Sequence, residues 1–193
     1  MTTANKITVC RILLVPFFVV HLLYYLRSGA EWNRTLALLA FALAALADGL
    51  DGYIARRYHQ KSELGAILDP LADKLLLVSG IILLSFDSGH YFVRIPLWLT
   101  VTVISRDVIV LIGVIIVHYM CGKVVVRPRL AGKVATVFQM GTVLWILLQW
   151  NNRALPFLIF GAAIFTAMSG VFYLFDGMRQ LSASPTSAAT TNQ

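Results

Sequence analysis

The sequence has little charge, and acidic residues are its scarcest kind. Asp and Glu together number nine in 193 residues, and charged residues of both signs make up 13% of the chain. Soluble domains have about 25% charged residues. Hydrophobic residues make up 59% here, and the mean hydropathy is +0.78. These values exclude a soluble globular domain and indicate an integral membrane protein.

Cysteine is also scarce. Cys10 and Cys121 lie far apart and form no CxxC pair. This pattern excludes a disulfide framework and a thiolate metal site. We expect both residues to be free thiols that pack against apolar neighbours.

Long hydrophobic stretches are what the chain has in abundance, and each is close to the 20 or so residues that cross a bilayer as a helix. There are six, at residues 8–26, 35–57, 67–86, 95–119, 131–150 and 155–175. They predict an all-α integral membrane protein with six transmembrane helices in one bundle. We expect one domain over residues 1–180 and a disordered polar tail over 181–193. The first stretch also resembles a signal peptide in part, but Pro16 and the length of the apolar run favour a retained helix.

The basic residues are distributed unevenly between the two sides of such a bundle. If the amino terminus is cytoplasmic, that side receives Lys6, Arg11, Arg56, Arg57, Lys61, Lys74, Lys123, Arg127, Arg129, Lys133 and Arg179, and the other side receives Arg27, Arg34, Arg94 and Arg153. The positive-inside bias therefore predicts that both termini are cytoplasmic. In so apolar a chain, the net charge of +7 favours anionic lipid and phosphate-bearing substrates over nucleic acid.

Four of the nine acidic residues lie in one segment around the link between the second and third stretches. They are Asp48, Asp51, Asp69 and Asp73. Residues three or four apart share a helix face, so two neighbouring antiparallel helices can bring the two pairs together. Carboxylates near hydrocarbon cost at least a few kcal/mol each, and four of them repel one another unless a cation is present. The spacing predicts a Mg²⁺ or Mn²⁺ site; solvated charges at helix ends are the alternative.

Small residues lie beside these aspartates. Gly52 and Ala55 make one side of the second helix narrow, and a residue without a Cβ lets a ligand approach closely. We expect a nucleotide to lie there, with Arg56 pairing with a phosphate. Metal ions on the phosphate oxygens, and a carboxylate that takes a proton from an attacking hydroxyl, would together perform a phosphoryl-type transfer.

The complete pattern is Asp48-x2-Asp51-Gly52-x2-Ala55-Arg56-x8-Gly65-x3-Asp69-x3-Asp73. It resembles the signature of the CDP-alcohol phosphatidyltransferase family at every position. The likeness extends to Ile104-Ser105-Arg106-Asp107 and to Gly132-Lys133-x2-Thr136-x2-Gln139. It reaches about residue 145, and the last stretch is interpreted as merely apolar.

This resemblance implies a six-helix membrane enzyme, often dimeric, that transfers a phosphatidyl group from CDP-diacylglycerol to an alcohol and releases CMP. It implies that Asp48, Asp51 and Asp69 are metal ligands and that Asp73 is both a ligand and the general base, with two metal ions in the site. It also implies a CDP-binding site formed by Gly52, Ala55, Arg56 and Gly65. The expected location is a bacterial plasma membrane, with the active site facing the cytoplasm.

Charged residues within the fourth stretch and around the start of the fifth are candidates for binding the acceptor alcohol. Arg106 and Asp107 lie in the middle of an apolar run, so we expect them to face the protein interior. Either they form an ion pair, or Arg106 binds the phosphate of the acceptor together with Arg129 and Lys133. Residues 69–74 resemble both the phosphatidylglycerophosphate synthase and the cardiolipin synthase branches, and the basic residues favour an acceptor with a phosphate, such as glycerol 3-phosphate. The cardiolipin synthase branch, which uses phosphatidylglycerol, is the alternative because a Leu-Arg pair is missing after Asp107.

A divalent-cation transporter is the alternative that is not an enzyme. Its acidic residues would be distributed through the depth of the membrane, whereas the four aspartates here cluster at one end of the helices. An inactive scaffold would be expected to have lost at least one signature aspartate. The sequence therefore favours an enzyme.

Overall fold

The structure, a computed structural model, describes residues 3–58, 63–86, 91–121, 130–151 and 153–182. At residues 3–9, 48–58, 63–70, 114, 117–121 and 179–182 the description covers the backbone alone. Regular structure in these ranges is helical throughout, which confirms the all-α prediction. The six helices are α1 Thr3–Ser28, α2 Glu31–Tyr58, α3 Glu63–Phe86, α4 Leu97–Cys121, α5 Leu130–Leu147 and α6 Leu155–Ser182.

Three described segments are long and apolar enough to cross a membrane: Cys10–Ser28, Leu130–Leu147 and Leu155–Met178. Apolar side chains also cover outward faces of the helices, as at Leu39, Leu43 and Leu46 of α2, which are all more than half exposed. Soluble monomers rarely expose contiguous apolar patches of this kind. Helix length, composition and apolar surface thus agree on a membrane protein.

The chain forms two compact units, the first made of residues 1–95 and 140–155. In this unit α1 packs against both α2 and α3, and α2 also contacts α3. Phe18 and Leu22 of α1 and Phe41 of α2 are almost fully buried, and the two phenylalanine rings lie 5.4 Å apart. The core around the acid-bearing helices is therefore mostly apolar, although Arg11 of α1 is also buried in this unit.

A close approach between α3 and its neighbours depends on Gly80. A Cβ atom at this position would lie 3.2 Å from Val143 Cγ1 and 3.5 Å from the Phe18 ring. Any larger residue would meet the side chains of α1 and of the second half of α5. Gly80 therefore allows the tight packing of this part of the first unit.

The first unit also has a polar contact at the carboxyl end of α5. Gln149 has a positive φ of 51°, and its Nε2 donates to the Tyr25 hydroxyl at 2.8 Å and to the Tyr91 carbonyl at 3.2 Å. Tyr25 in turn donates to Glu31 Oε1 at 3.3 Å. These bonds fix the end of α5 to the end of α1, at the end of α2 farthest from its aspartates.

The second unit is made of residues 96–139 and 156–193, and so contains α4, the first half of α5 and nearly all of α6. The rings of Phe138 and Phe165 stack at 5.5 Å. A Cβ at Gly161 would lie 2.6 Å from the Phe138 ring, so α5 and α6 approach closely there. Trp98 of α4 contacts Phe160 of α6, with ring centroids 5.9 Å apart.

Several predicted boundaries differ from the observed ones. Helix α2 begins before residue 35, α5 ends before residue 150, and α6 continues to Ser182. The predicted tail over 181–193 lies outside the described residues from 183 onward. Cys10 is a free thiol, as predicted, but it is exposed rather than packed inside the protein. The side chain of Cys121 lies outside the description.

Candidate functional site

The four signature aspartates lie in two helices that contact each other. Asp48 and Asp51 belong to α2, and Asp69 and Asp73 belong to α3, so the helical placement predicted from their spacing is confirmed. The link between the helices, residues 59–62, is short, which is typical of antiparallel neighbours.

The two pairs also lie at matching distances from that link. Asp51 and Asp48 precede the last residue of α2 by seven and ten residues, and Asp69 and Asp73 follow the first residue of α3 by six and ten. At about 1.5 Å per residue, the inner members lie roughly 10 Å and 9 Å along their helices, and the outer members both lie about 15 Å along. Both pairs therefore lie at similar distances along their helices from the link.

Asp73 is the signature aspartate whose side chain the structure describes. It is half-buried on α3, between the buried Ala72 and the half-buried Lys74, one turn before the buried Leu76 and Leu77. The side chains of Asp48, Asp51, Asp69, Ala55 and Arg56, like the surroundings of Gly52 and Gly65, lie outside the description. Their metal and CDP assignments stay predictions.

Arg106 is at the centre of a polar cluster in the second unit. Its Nη1 donates to Asp107 Oδ1 at 2.7 Å, its Nη2 donates to Ser169 Oγ at 2.8 Å, and its guanidinium carbon lies 5.4 Å from the centre of the Tyr173 ring. The side chains of Arg106 and Asp107 are only 14% and 21% exposed. The expectation that both face the protein interior is confirmed, and so is the ion pair.

Two glycines give the guanidinium its space. A Cβ at Gly132 of α5 would lie 3.1 Å from Arg106 Nη2, and a Cβ at Gly170 of α6 would lie 3.3 Å from Arg106 Cγ. Bare backbone of two helices therefore approaches the arginine closely. Lys133 follows Gly132 directly and is exposed, whereas Arg129 lies outside the described residues.

A second polar contact lies in the same unit, farther along α5. Gln139 Nε2 donates to Thr166 Oγ1 of α6 at 2.8 Å, and both residues are buried. Thr136 donates its hydroxyl to the Gly132 carbonyl at 3.1 Å. Gln139 thus presents its amide to the inside of the unit, whereas the Thr136 hydroxyl is bonded within its own helix.

The interpretation of the last stretch as merely apolar was wrong. Helix α6 supplies Thr166, Ser169 and Tyr173, which contact Gln139 or Arg106. Their spacing of three and four residues places them on one helix face, and this spacing is the signal in the sequence that could have identified them. Polar residues on one face of an apolar helix are typical of contacts between membrane helices.

Most of the chain is similar to proteins of one known family. Residues 1–177 match the family model described as CDP-alcohol phosphatidyltransferase, so the match extends beyond residue 145 into α6. The chain is 34% identical over 171 residues to the CDP-diacylglycerol–glycerol-3-phosphate 3-phosphatidyltransferase of Escherichia coli K12, over 87% of this chain and 90% of that protein. The protein of the same name from Salmonella paratyphi A is 33% identical over the same shares.

Proposed function

The chain belongs to the CDP-alcohol phosphatidyltransferase family, and on this basis we propose that it transfers a phosphatidyl group from CDP-diacylglycerol to glycerol 3-phosphate. The products are CMP and phosphatidylglycerophosphate, a step of phospholipid biosynthesis. The observation that carries the proposal is the similarity, over 87% of the chain, to relatives named for this reaction. The same similarity leaves the cation-transport alternative without support.

The carboxylates on α2 and α3 form the proposed metal site. Asp48, Asp51, Asp69 and Asp73 would hold two Mg²⁺ or Mn²⁺ ions, because hard cations prefer carboxylate oxygens. Their position at similar distances along two contacting helices fits such a site. When bound, the ions would neutralise the pyrophosphate and stabilise charge on the departing CMP.

The protein groups have separate tasks in the proposed reaction. Gly52, Ala55 and Gly65 leave room for the cytidine diphosphate, and Arg56 pairs with one of its phosphates. Asp73 takes the proton from the acceptor hydroxyl. The acceptor oxygen then forms a bond to the lipid-linked phosphorus, and the bond from that phosphorus to the CMP oxygen breaks.

Arg106 is the proposed binding group for the acceptor phosphate, with Lys133 and Arg129 as further candidates. A guanidinium has five N–H donors and matches phosphate geometry well. The ion pair with Asp107 does not conflict with this task, since it uses one of those donors. Phosphatidylglycerol, the acceptor of the cardiolipin synthase alternative, also has a phosphate, so the assay must include both acceptors.

The proposal includes a topology. All six helices cross the membrane, both termini lie in the cytoplasm, and the aspartates face the cytoplasmic interface of a bacterial plasma membrane. This placement lets the acyl chains of the substrate stay in the bilayer while the headgroups react near water. The uneven distribution of basic residues supports it. The homodimer implied by the family resemblance stays a prediction.

Purified full-length protein in detergent micelles with CDP-diacylglycerol tests the function. The assay measures CMP and the lipid product with glycerol 3-phosphate, with phosphatidylglycerol, or without acceptor, each in Mg²⁺, Mn²⁺ or EDTA. We expect CMP and phosphatidylglycerophosphate in equal amounts, and only when glycerol 3-phosphate and a metal are both present. The acceptor assignment would be overturned if phosphatidylglycerol reacted and glycerol 3-phosphate did not. Product formation in EDTA would overturn the metal site.

A further inference from the structure

The side chain of Arg106 is held by groups from two helices. Asp107 is its neighbour on α4, whereas Ser169 and Tyr173 belong to α6. A free arginine side chain has about 2 kcal/mol of rotamer entropy to lose when it binds a ligand in one geometry. Contacts that order the guanidinium beforehand reduce that loss at the moment of binding.

Ser169 and Asp107 act on different properties of the guanidinium. Asp107 is a carboxylate and offsets the positive charge, but it follows Arg106 on the same helix. Ser169 is uncharged and fully buried, so its contact with Nη2 at 2.8 Å fixes a position and leaves the charge unchanged. Tyr173 adds attraction through its ring face, an interaction that depends on the aromatic ring and not on the hydroxyl.

Glycines on both sides leave the guanidinium little room for other positions. A Cβ at Gly132 would lie 3.2 Å from Ser169 Oγ as well as 3.1 Å from Arg106 Nη2, and one at Gly170 would lie 3.3 Å from Arg106 Cγ. Backbone of α5 and α6 therefore confines the side chain that Ser169 and Tyr173 hold. The arginine is ordered by packing as well as by hydrogen bonds.

Donors remain available on this ordered group. A guanidinium has five N–H donors, and one on Nη1 and one on Nη2 are used by Asp107 and Ser169. Arg106 Nε is buried and has no hydrogen-bond partner within the described part of the chain, so a ligand would use the N–H groups left over on Nη1 and Nη2. An anionic ligand with several acceptor oxygens, such as a phosphate monoester, can use donors that these contacts leave over.

We propose that Ser169 and Tyr173 of α6 are positioning residues that hold Arg106 in the geometry in which it binds the phosphate of the acceptor. The inference rests on the proposed function, because it assumes that Arg106 binds that phosphate. It assigns to the last helix control of the affinity for the acceptor, without any contact between α6 and the reacting atoms.

The test is steady-state kinetics with the full chain in mixed micelles, varying glycerol 3-phosphate and CDP-diacylglycerol separately. Ser169→Ala removes one acceptor from a charged donor, so the KM for glycerol 3-phosphate is expected to rise about tenfold. The kcat and the KM for CDP-diacylglycerol are expected to stay within about twofold. Ser169→Thr keeps the hydroxyl and is expected to restore most of the affinity. A rise of both KM values together, or no rescue by Thr, would indicate a general packing defect and overturn the proposal.

Tyr173 offers a matched pair of variants. Tyr173→Phe keeps the ring and is expected to retain the wild-type KM, whereas Tyr173→Leu removes the ring and is expected to raise the KM for glycerol 3-phosphate about threefold. Equal effects of the two substitutions would contradict a contribution of the ring face. Thr166→Val is the structural control on the same helix, since Thr166 bonds to Gln139 and not to Arg106. It is expected to lower thermal stability and leave the KM unchanged.

A double-mutant cycle separates this inference from the proposed function. Arg106→Lys is expected to raise the KM for glycerol 3-phosphate, and adding Ser169→Ala to that variant is expected to have little further effect, because Ser169 acts through Arg106. Additive effects would overturn the positioning role alone. If Arg106→Lys leaves this KM unchanged, Arg106 does not bind the acceptor phosphate, and the proposed acceptor site fails together with the inference.

Discussion

The contact between α1 and α2 and the contact among α4, α5 and α6 are built from different side chains. The first brings Phe18 and Leu22 of α1 together with Phe41 of α2, next to the buried alanines Ala37, Ala40 and Ala44. The second surrounds the guanidinium of Arg106 with a carboxylate, a hydroxyl and an aromatic ring. Apolar packing fixes where helices lie, whereas the polar contact also fixes the direction of one charged group.

The groups that perform the chemistry and the groups that stabilise the fold are separable in the first unit and overlap in the second. In the first unit the predicted reacting groups lie near the carboxyl end of α2 and in the amino-terminal part of α3. Apolar core residues begin within one turn of Asp73, at Leu76 and Leu77, but they take no part in the chemistry. In the second unit the proposed binding group is itself part of the helix packing. Substitutions in the apolar core of the first unit should therefore lower stability alone, whereas substitutions around Arg106 should also change the kinetics.

The largest expected effect concerns Asp73. Asp73→Asn removes the proposed general base and one metal ligand, so CMP release should fall by about 10²–10⁴-fold, with thermal stability little changed. The measurement is CMP release at saturating substrates. Glu31→Gln is the matched control, since it makes the same chemical change at the other end of the helices, and it should retain near-normal activity. More than half of the wild-type rate in Asp73→Asn would contradict the assigned role.

The apolar contact can be broken at Phe18. Phe18→Ala leaves a cavity against Phe41, and the expected loss of stability is about 3–5 kcal/mol. Thermal unfolding in detergent measures it. Since the acceptor site is not involved, the folded fraction should keep the wild-type KM for glycerol 3-phosphate. A changed KM at full folding would show that the apolar core also shapes the acceptor site.

A pair of glycine substitutions tests the difference between the apolar core and the surroundings of Arg106. Gly80→Ala places a methyl group 3.2 Å from Val143 and should cost about 1–3 kcal/mol of stability by overpacking, without a change in KM. Gly170→Ala places a methyl group 3.3 Å from Arg106 and should raise the KM for glycerol 3-phosphate by displacing the guanidinium. The difference between the two units is contradicted if both variants lose stability and raise the KM for glycerol 3-phosphate to the same extent.

The smallest expected effect concerns the bond between Gln139 and Thr166. Thr166→Val leaves the buried amide of Gln139 without its partner, which should cost about 1–3 kcal/mol of stability. Gln139→Leu removes the amide altogether and should cost less, because Gln139 Oε1 already lacks a hydrogen-bond partner among the described residues. Thermal unfolding measures which variant loses more stability, and a larger loss in Gln139→Leu than in Thr166→Val would contradict the prediction.

The sequence predicted the helices better than their ends. Hydropathy detects the part of a helix that matches a bilayer, but backbone hydrogen bonding continues beyond it, so α6 extends to Ser182 and α2 begins at Glu31. Helix α5 ends early because Gln149 takes a positive φ. This conformation is uncommon for a residue other than glycine, and the bonds of Gln149 to Tyr25 and Tyr91 hold it there. No local sequence pattern around Gln149 predicts hydrogen-bond partners so far away in the chain.

The candidate site was predictable in part. The burial of Arg106 followed from the cost of a charge in an apolar helix, and the helical positions of the aspartates followed from their spacing. The contacts of Ser169 and Tyr173 did not follow, because isolated polar residues hardly change the hydropathy of a long apolar stretch. Knowing which helix they meet requires the tertiary structure.

The bond between Gln149 and Tyr25 has a consequence for how the protein is made. Its two side chains are 124 residues apart in the chain. At a synthesis rate of 5–20 residues per second, Gln149 is made roughly 6–25 s after Tyr25. During that time the earlier helices exist without the hydrogen bond between Tyr25 and Gln149. The newly made amino-terminal half is thus expected to lack this stabilising contact until the end of the fifth helix has been made.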